Sequence, residues 1–258
     1  MMKNKTSNLL TASLIIFFSV SSCSQFKKDY SLNTEDYIKI GMPDHNKKWT
    51  GDDYSEANIT LSTLKMDAPM SLPRKNSAKS GVLFERFVND ENIAFVYDTT
   101  IPLKVRAYLI QHYPAIIGEI EHNYTFEHKG KPVYTEEILE LKIFELNVQD
   151  KMLELARIID KTDDETLSGF KEGMKMVKYN YFRLIPELLK AISDNEQIKS
   201  DETKNLCTAL SESVQINSEM FSAEEKRNLI AEFENSKKQI KSGDFSKMMS
   251  NCVNNLSN

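Results

Sequence analysis

An all-α fold, an irregular multi-helix bundle behind a flexible N-terminal tether, is what this sequence predicts, and three observations predict it. Glycine and proline are scarce, eight and seven in 258 residues, while Lys, Glu, Leu and Ile are abundant. That composition favours helices over turn-rich β structure. Beyond residue 49, apolar side chains recur mostly at three- and four-residue spacing. Helix-start signals stand where the periodic runs begin, most clearly the capping box Ser222-x-x-Glu225.

The N-terminus has its own logic. Lys3 and Lys5 give a positive start, with no acid before residue 29, and Leu9 to Val20 is apolar except for Thr11, Ser13 and Ser19. A run this short does not span ~30 Å of hydrocarbon, which takes about 20 residues. A charged start, a short apolar core and small residues after it form a secretory signal. Its end, Val20-Ser21-Ser22-Cys23, resembles the lipobox of bacterial lipoproteins: an aliphatic residue, two small residues, then cysteine. Val at 20 and Ser at 22 replace the commoner Leu and Gly or Ala. The resemblance covers residues 1–23 only. It implies removal of the signal peptide 1–22 and attachment of diacylglycerol to Cys23, which becomes the first residue of the mature chain. Ser24, rather than Asp, points by the enterobacterial sorting rule to the outer membrane, facing the periplasm. The alternative is an ordinary cleaved signal with an incidental cysteine. Several acyl chains on Cys23 make a stable anchor, at about 0.8 kcal/mol per buried CH₂.

Removing residues 1–22 takes away two lysines and no acid, so the formal charge moves from −5 to −7. Mild acidity argues against nucleic acid as a partner, since that leaves a basic footprint. Two cysteines remain, Cys207 and Cys252. An exported chain permits disulfides, so they are a candidate pair, with two buried free thiols as the alternative.

The elements follow in order. Residues 23–48 are polar and aperiodic and read as the tether. An N-terminal helical part, 49–126, opens with Thr50 as N-cap, Asp52 and Asp53 in the first turn, and Trp49 and Tyr54 as a hydrophobic staple. Tyr54, Ala57, Leu61 and Leu64 keep helical spacing. SLPRKNSAKSG interrupts it, and a short helix carries Leu83, Phe84, Phe87 and Val88. IAFVY at 93–97 fits a strand or a helical turn, and the lack of a partner strand favours helix or extended packing. Pro102 starts a helix with Leu109, Tyr113, Ile116, Ile117, Ile120 and Tyr124 on one face and a kink at Pro114. EHKGKP at 127–132 is a loop and the natural division of the chain. A C-terminal bundle, 133–257, follows. Thr135 caps a long apolar helix to about Asp160. The next, about 164–193, has a seam of Leu167, Phe170, Met174, Val177, Tyr181, Leu184 and Leu188, with Phe182, Ile185, Leu189 and Ile192 beside it. So wide an apolar arc predicts the central helix of the bundle. Cys207, Leu210 and Val214 share a face. After the capping box, Leu229, Ile230, Phe233 and Ile240 point inward, and Gly243 precedes an amphipathic helix with Phe245, Met248, Met249, Cys252, Val253 and Leu256.

Chemistry is sparse. Of the four histidines, His45, His112, His122 and His128, one lies in Glu119-Ile120-Glu121-His122, the Glu-x-x-His spacing of di-iron bundles. Those sites need a second such pair, which the chain lacks. Glu119 and His122 are therefore weak metal candidates, and a solvated helix end explains them as well. Ser62-x-x-Lys65, Ser193-Asp194-Asn195 and Lys79-Ser80-Gly81 match the strings of penicillin-interacting enzymes in the wrong order. Arg74, Lys75 and Lys79 suit either an anion site or a solvated basic loop. Asp160, Asp163, Asp164 and Glu165 lack the glycine and spacing of a calcium loop. No cofactor motif is present.

These residues predict a membrane-tethered envelope lipoprotein with a non-catalytic binding or scaffolding role. It would be held to the membrane through lipid on Cys23 and would meet an envelope protein partner. The alternatives are an envelope enzyme, with His112, Glu119 and His122 its first suspects, and a small-ligand carrier with Tyr179, Tyr181 and Phe182 lining a pocket.

Overall fold

The computed structural model describes residues 51–67, 69–75, 87–162, 167–195 and 201–257. All of them belong to one compact unit, and the fold is all-α. The helices are α1 Gly51–Asp67, α2 Leu103–Ile110, α3 Tyr113–Tyr124, α4 Thr135–Asp160, α5 Ser168–Asn195, α6 Asp201–Asn217, α7 Ala223–Gln239 and α8 Gly243–Ser257. A 3₁₀ segment, Asp90–Tyr97, precedes α2, so IAFVY is helical rather than a strand. Asn89 caps it by accepting from the Glu91 amide at 2.9 Å. The expected residues Trp49, Thr50, Leu83 and Phe84, and the side chains of Tyr54 and Leu64, lie outside the described residues.

The central helix is α4, not α5. It packs against α2, α3, α5, α6 and the 3₁₀ segment. The wide apolar arc of α5 is real, with Leu167, Val177, Tyr181, Leu184, Leu188, Ile185, Leu189 and Ile192 all buried. α4 nevertheless buries residues on more sides, because it encloses Glu137, Lys142 and Gln149 along with its leucines.

Helix directions follow from the side-chain bonds between helices. Lys142 meets Glu187 while Asp150 reaches Tyr181 through Ser213, so α4 and α5 are antiparallel. Glu140 and Glu202 share Lys75 while Asp150 takes Ser213 and Asn217, so α4 and α6 run the same way. Lys178 reaches the Met220 carbonyl and Glu225, which joins the first half of α5 to the start of α7. α8 lies on α7 and α6.

Three local details differ from expectation. Pro114 does not kink one helix; it stands at the start of α3, after α2 has ended at Ile110. Proline has no amide for the i−4 carbonyl and its ring crowds that position, so the helix restarts. EHKGKP is a small hairpin, with Glu127 opposite Pro132 and His128 opposite Lys131. Lys129 and Gly130 both take positive φ, 54° and 72°, the requirement of a type I′ turn. Thr135 is the first residue of α4, and the cap position is held by Tyr134, which makes no side-chain cap.

Tyr134 has another task. Its hydroxyl donates to the Pro69 carbonyl at 2.7 Å and accepts the Leu72 amide at 2.9 Å. Tyr124 donates to the Pro73 carbonyl at 3.1 Å. Arg74 lies over the Tyr134 ring, 4.4 Å from its centre, and donates to the Val133 carbonyl and to Glu137. The Lys75 amide donates to Glu137, and its ammonium pairs with Glu140 and Glu202. Residues 69–75 are thus a strap across the start of α4. Arg74 and Lys75 are engaged in it, contrary to both an anion site and a solvated loop, while Lys79 lies outside the described residues. Tyr134→Phe strips the buried Leu72 amide of its acceptor. An unsatisfied buried donor costs about 1–3 kcal/mol, so urea unfolding of the variant is expected to show a loss of that size, with faster protease cleavage at 69–75. An unchanged midpoint would remove the strap from the account of stability.

Candidate functional site

Chemistry-bearing side chains gather at four places, and the first lies inside the bundle. Asp150 of α4 faces α6, where Ser213 Oγ donates to its Oδ1 at 2.6 Å and Asn217 Nδ2 donates to the same oxygen at 2.7 Å. With the Ser213 proton so used, the Tyr181 hydroxyl, 2.9 Å away, is the donor to Ser213. Burial pushes the Asp150 carboxyl up to about 6, against the lowering effect of the Ser213 and Asn217 bonds and of Lys151. Ser213 and Tyr181 are both buried. The cluster reads as a relay by composition, but its hydroxyls are packed in the core, and it joins three helices.

At the second place Lys142 takes three carboxylates from three helices. Glu121 of α3 is at 2.9 Å, Glu145 of α4 at 3.0 Å and Glu187 of α5 at 3.3 Å. Burial opposes the ammonium, yet Glu145 and Glu121 outweigh it and hold its pKa above the usual lysine range. Burial raises the Glu145 carboxyl, with Lys142 acting against that rise.

The third place surrounds the Glu-x-x-His pair, whose bonds run to α1. Glu119 accepts from Asn58 Nδ2 at 2.8 Å, while the His122 carbonyl accepts from Lys65 Nζ at 2.7 Å. Ser62 donates to Asn123 Oδ1 at 3.1 Å, and Asn123 donates to Asn58 at 2.6 Å. Asn58, Ser62 and Lys65 of α1 therefore form a polar ladder on Glu119, His122 and Asn123 of α3. The same bonds separate the roles that Ser62-x-x-Lys65 would need as nucleophile and base. Among the described residues, no group of three or more His, Cys, Asp or Glu is placed to hold a metal ion. His112 stacks edge-on against Tyr108, His128 is exposed in the hairpin, and His45 is outside the described residues. Asn195 donates back to the Ala191 carbonyl at the end of α5. Of the three aromatics expected around one pocket, Tyr181 and Phe182 meet edge-on and both pack against Phe221, while Tyr179 stands apart. Tyr181 is buried, Phe182 packs on Phe221, and Tyr179 is 54% exposed beneath Arg183.

Cys23 lies outside the described residues. Cys207 and Cys252 are buried free thiols. Burial first, then the neighbouring Cys252, pushes Cys207 up to about 12, and burial pushes Cys252 up to about 11 against a bond from Ser211.

The fourth place was missed in the sequence and lies on the surface. α1 buries Ala57 and Leu61 on one side and exposes Ile59 (67%) and Met66 (85%) on the other, with Met70 beyond its end (52%). Ile59 and Met66 are seven residues apart, two helical turns. Thr63, between them, turns its hydroxyl to the Ile59 carbonyl at 3.0 Å, and Thr60 turns its own to the Glu56 carbonyl at 3.0 Å. The hydroxyls are thereby satisfied within the helix, which lowers the polarity of the stripe. Asp52 and Glu56 are exposed on α1, and Lys65, the helix's single basic residue, is drawn to α3. The signal available in the sequence was an Ile and a Met directly opposite the buried positions of one helix.

The Asp150 cluster has a pH signature. Its carboxyl holds a proton up to about pH 6 when folded, against an ordinary 3.8. The stability it contributes is present below about pH 4 and is lost as pH rises through 6. Asp150→Asn keeps an acceptor for Ser213 and Asn217 and removes the charge. The variant is expected to match the parent near pH 4 and to exceed it by on the order of 1–3 kcal/mol at pH 7. Paired urea titrations across that range check this, and a constant difference would contradict it. Comparison with protein-family models, curated proteins and solved structures found no match to this chain.

Proposed function

We propose that the chain is a lipid-tethered envelope protein that binds another envelope protein through the outer face of α1, without catalysis of its own. The observation that carries the binding role is the exposed stripe Ile59, Met66 and Met70. Apolar side chains exposed together mark interaction sites more often than isolated ones do, and methionine adapts its shape to a partner. Charge selects the partner. The stripe's exposed charged neighbours Asp52 and Glu56 are acids, and its lysine is turned inward. That favours a protein segment with apolar residues flanked by Lys or Arg, and disfavours an anionic lipid surface. Val20-Ser21-Ser22-Cys23 supports the tether. The engagement of Glu119, Ser62 and Lys65 in the α1–α3 ladder supports a non-catalytic reading of the motifs that include them.

Two measurements test the two halves. Mass spectrometry of the membrane fraction should find acyl groups on Cys23, and Cys23→Ala should release an unlipidated chain. A variant that stays membrane-bound without lipid would refute the tether. Crosslinking in intact cells should join the wild type to a discrete partner, and the pair Ile59→Lys and Met66→Lys should abolish that product. Both positions are exposed, so unfolding should shift by no more than about 0.5 kcal/mol each. An unchanged product would move the binding site off α1.

A further inference from the structure

We infer that Cys207 and Cys252 are a disulfide-forming pair that latches the C-terminal helix α8 onto α6. The two helices pack together, and both thiols face that contact, 2% and 0% exposed. Cys207 lies with Leu210 and Val214 on the buried face of α6, and Cys252 lies with Phe245, Met249 and Leu256 on the buried face of α8. Ser211 hydrogen-bonds the Cys252 thiol. Ser211 is one turn beyond Cys207, a rise of about 5.4–6 Å along α6. The Cys252 thiol therefore lies within about a turn of Cys207 along α6, near enough to act on it. A disulfide needs Cα atoms within about 7 Å. Sliding of packed helices is a common small motion, and movement of α8 along α6 lets the pair approach to that range.

Burial also decides when the bond forms. With α8 docked, both thiols stay protonated at neutral pH and do not attack, because the thiolate is the nucleophile. Lifting α8, the last element of the chain, restores their ordinary acidity. One cysteine thiolate then attacks the disulfide of an external acceptor, a small-molecule disulfide or a thiol–disulfide oxidoreductase. The acceptor's S–S bond breaks and one of its sulfurs leaves. The second cysteine thiolate attacks the mixed disulfide, forming the Cys207–Cys252 bond and releasing the acceptor's other sulfur. The two protons given up by the cysteines end on the two acceptor thiols. The pair loses two electrons and the acceptor gains them. Redocking of α8 then shields the bond.

The supply of acceptor in the cell rests on the proposed export; the pairing itself does not. The test therefore uses the full-length Cys23→Ala chain, in which Cys207 and Cys252 carry the only thiols. Reduced protein is incubated with oxidised glutathione in mild urea, which lifts α8. It is then denatured, treated with maleimide and weighed. The expected product has lost two hydrogens, takes no maleimide and yields one peptide pair joining Cys207 to Cys252. Its melting temperature should exceed that of the reduced chain by on the order of 10 °C. Reductant should abolish the gain, and Cys207→Ser and Cys252→Ser should each lack it. Two maleimide adducts, or glutathione held separately on each cysteine, would overturn the pairing. Wild-type chain taken directly from cells is scored in parallel. Free thiols there, with a bridge formed by glutathione, support the pairing and count against export.

Discussion

Charge buried along α4 is the constraint on which the rest of the fold depends. Glu137, Lys142 and Asp150 lie on a helix enclosed by five other elements. A charge removed from water must be paired or neutralised, and each of the three is answered by a different part of the chain. Glu137 draws in the strap at 69–75, Lys142 draws in α3 and α5, and Asp150 draws in α6. Apolar burial drives the collapse but has no direction. Directional bonds to fixed positions on α4 are what set the register of its neighbours. The three differ in kind. Lys142 and Glu137 have charged partners, whereas Asp150 has only neutral donors on α6, which is why burial raises its pKa.

The same comparison separates the two ends of the bundle. Near α4, the strap, the 3₁₀ segment, α3, α5 and α6 are each fixed by at least one hydrogen bond or ion pair that names its position. At the far end, α7 starts from the Ser222–Glu225 capping box and is tied to α5 through Lys178. α8 faces α6 with Phe245, Met249, Cys252 and Leu256, a surface that packs well but specifies register weakly. Ser211 and the Cys252 thiol make a polar contact there. A covalent tie at this contact would supply the direction that apolar packing lacks.

What the sequence revealed follows from the range of the forces involved. The capping box, the seam of α5 and the inward faces of α6 and α8 depend on residues within a few turns, and all were legible as spacing. The identity of the central helix was not. α4 reads as a long apolar helix, but its Glu137, Lys142 and Asp150 look like surface residues until partners from residues 74, 121, 187 and 213 are known. Arg74 and Lys75 looked solvated for the same reason. Thr135 was a reasonable cap by residue type, but Tyr134 occupies that position and is held by the strap. Lys129-Gly130 was legible as a turn, though not as the positive-φ pair that closes a hairpin. At the candidate surface, Ile59 and Met66 were visible as apolar residues on a polar face. The inward turn of the Thr60 and Thr63 hydroxyls and of Lys65 was not.

α1 brings these points together, because its polarity is partly inverted. Toward α3 it presents Asn58, Ser62 and Lys65 beside Ala57 and Leu61; toward solvent it presents Ile59 and Met66. An isolated helix gains nothing from exposing its larger apolar side chains while polar ones face the protein. The polar ladder explains the inward half, since Glu119 and Asn123 need partners at that contact. Glu119 and Asn123, four apart, share one face of α3, the face on which α1 rests, while His122 contributes its backbone carbonyl. Ile59 and Met66 stay in water on a helix whose only basic residue faces inward, with Met70 exposed beyond its end, and this is the surface the proposed partner, bringing positive charge to the acids at the start of α1, would cover.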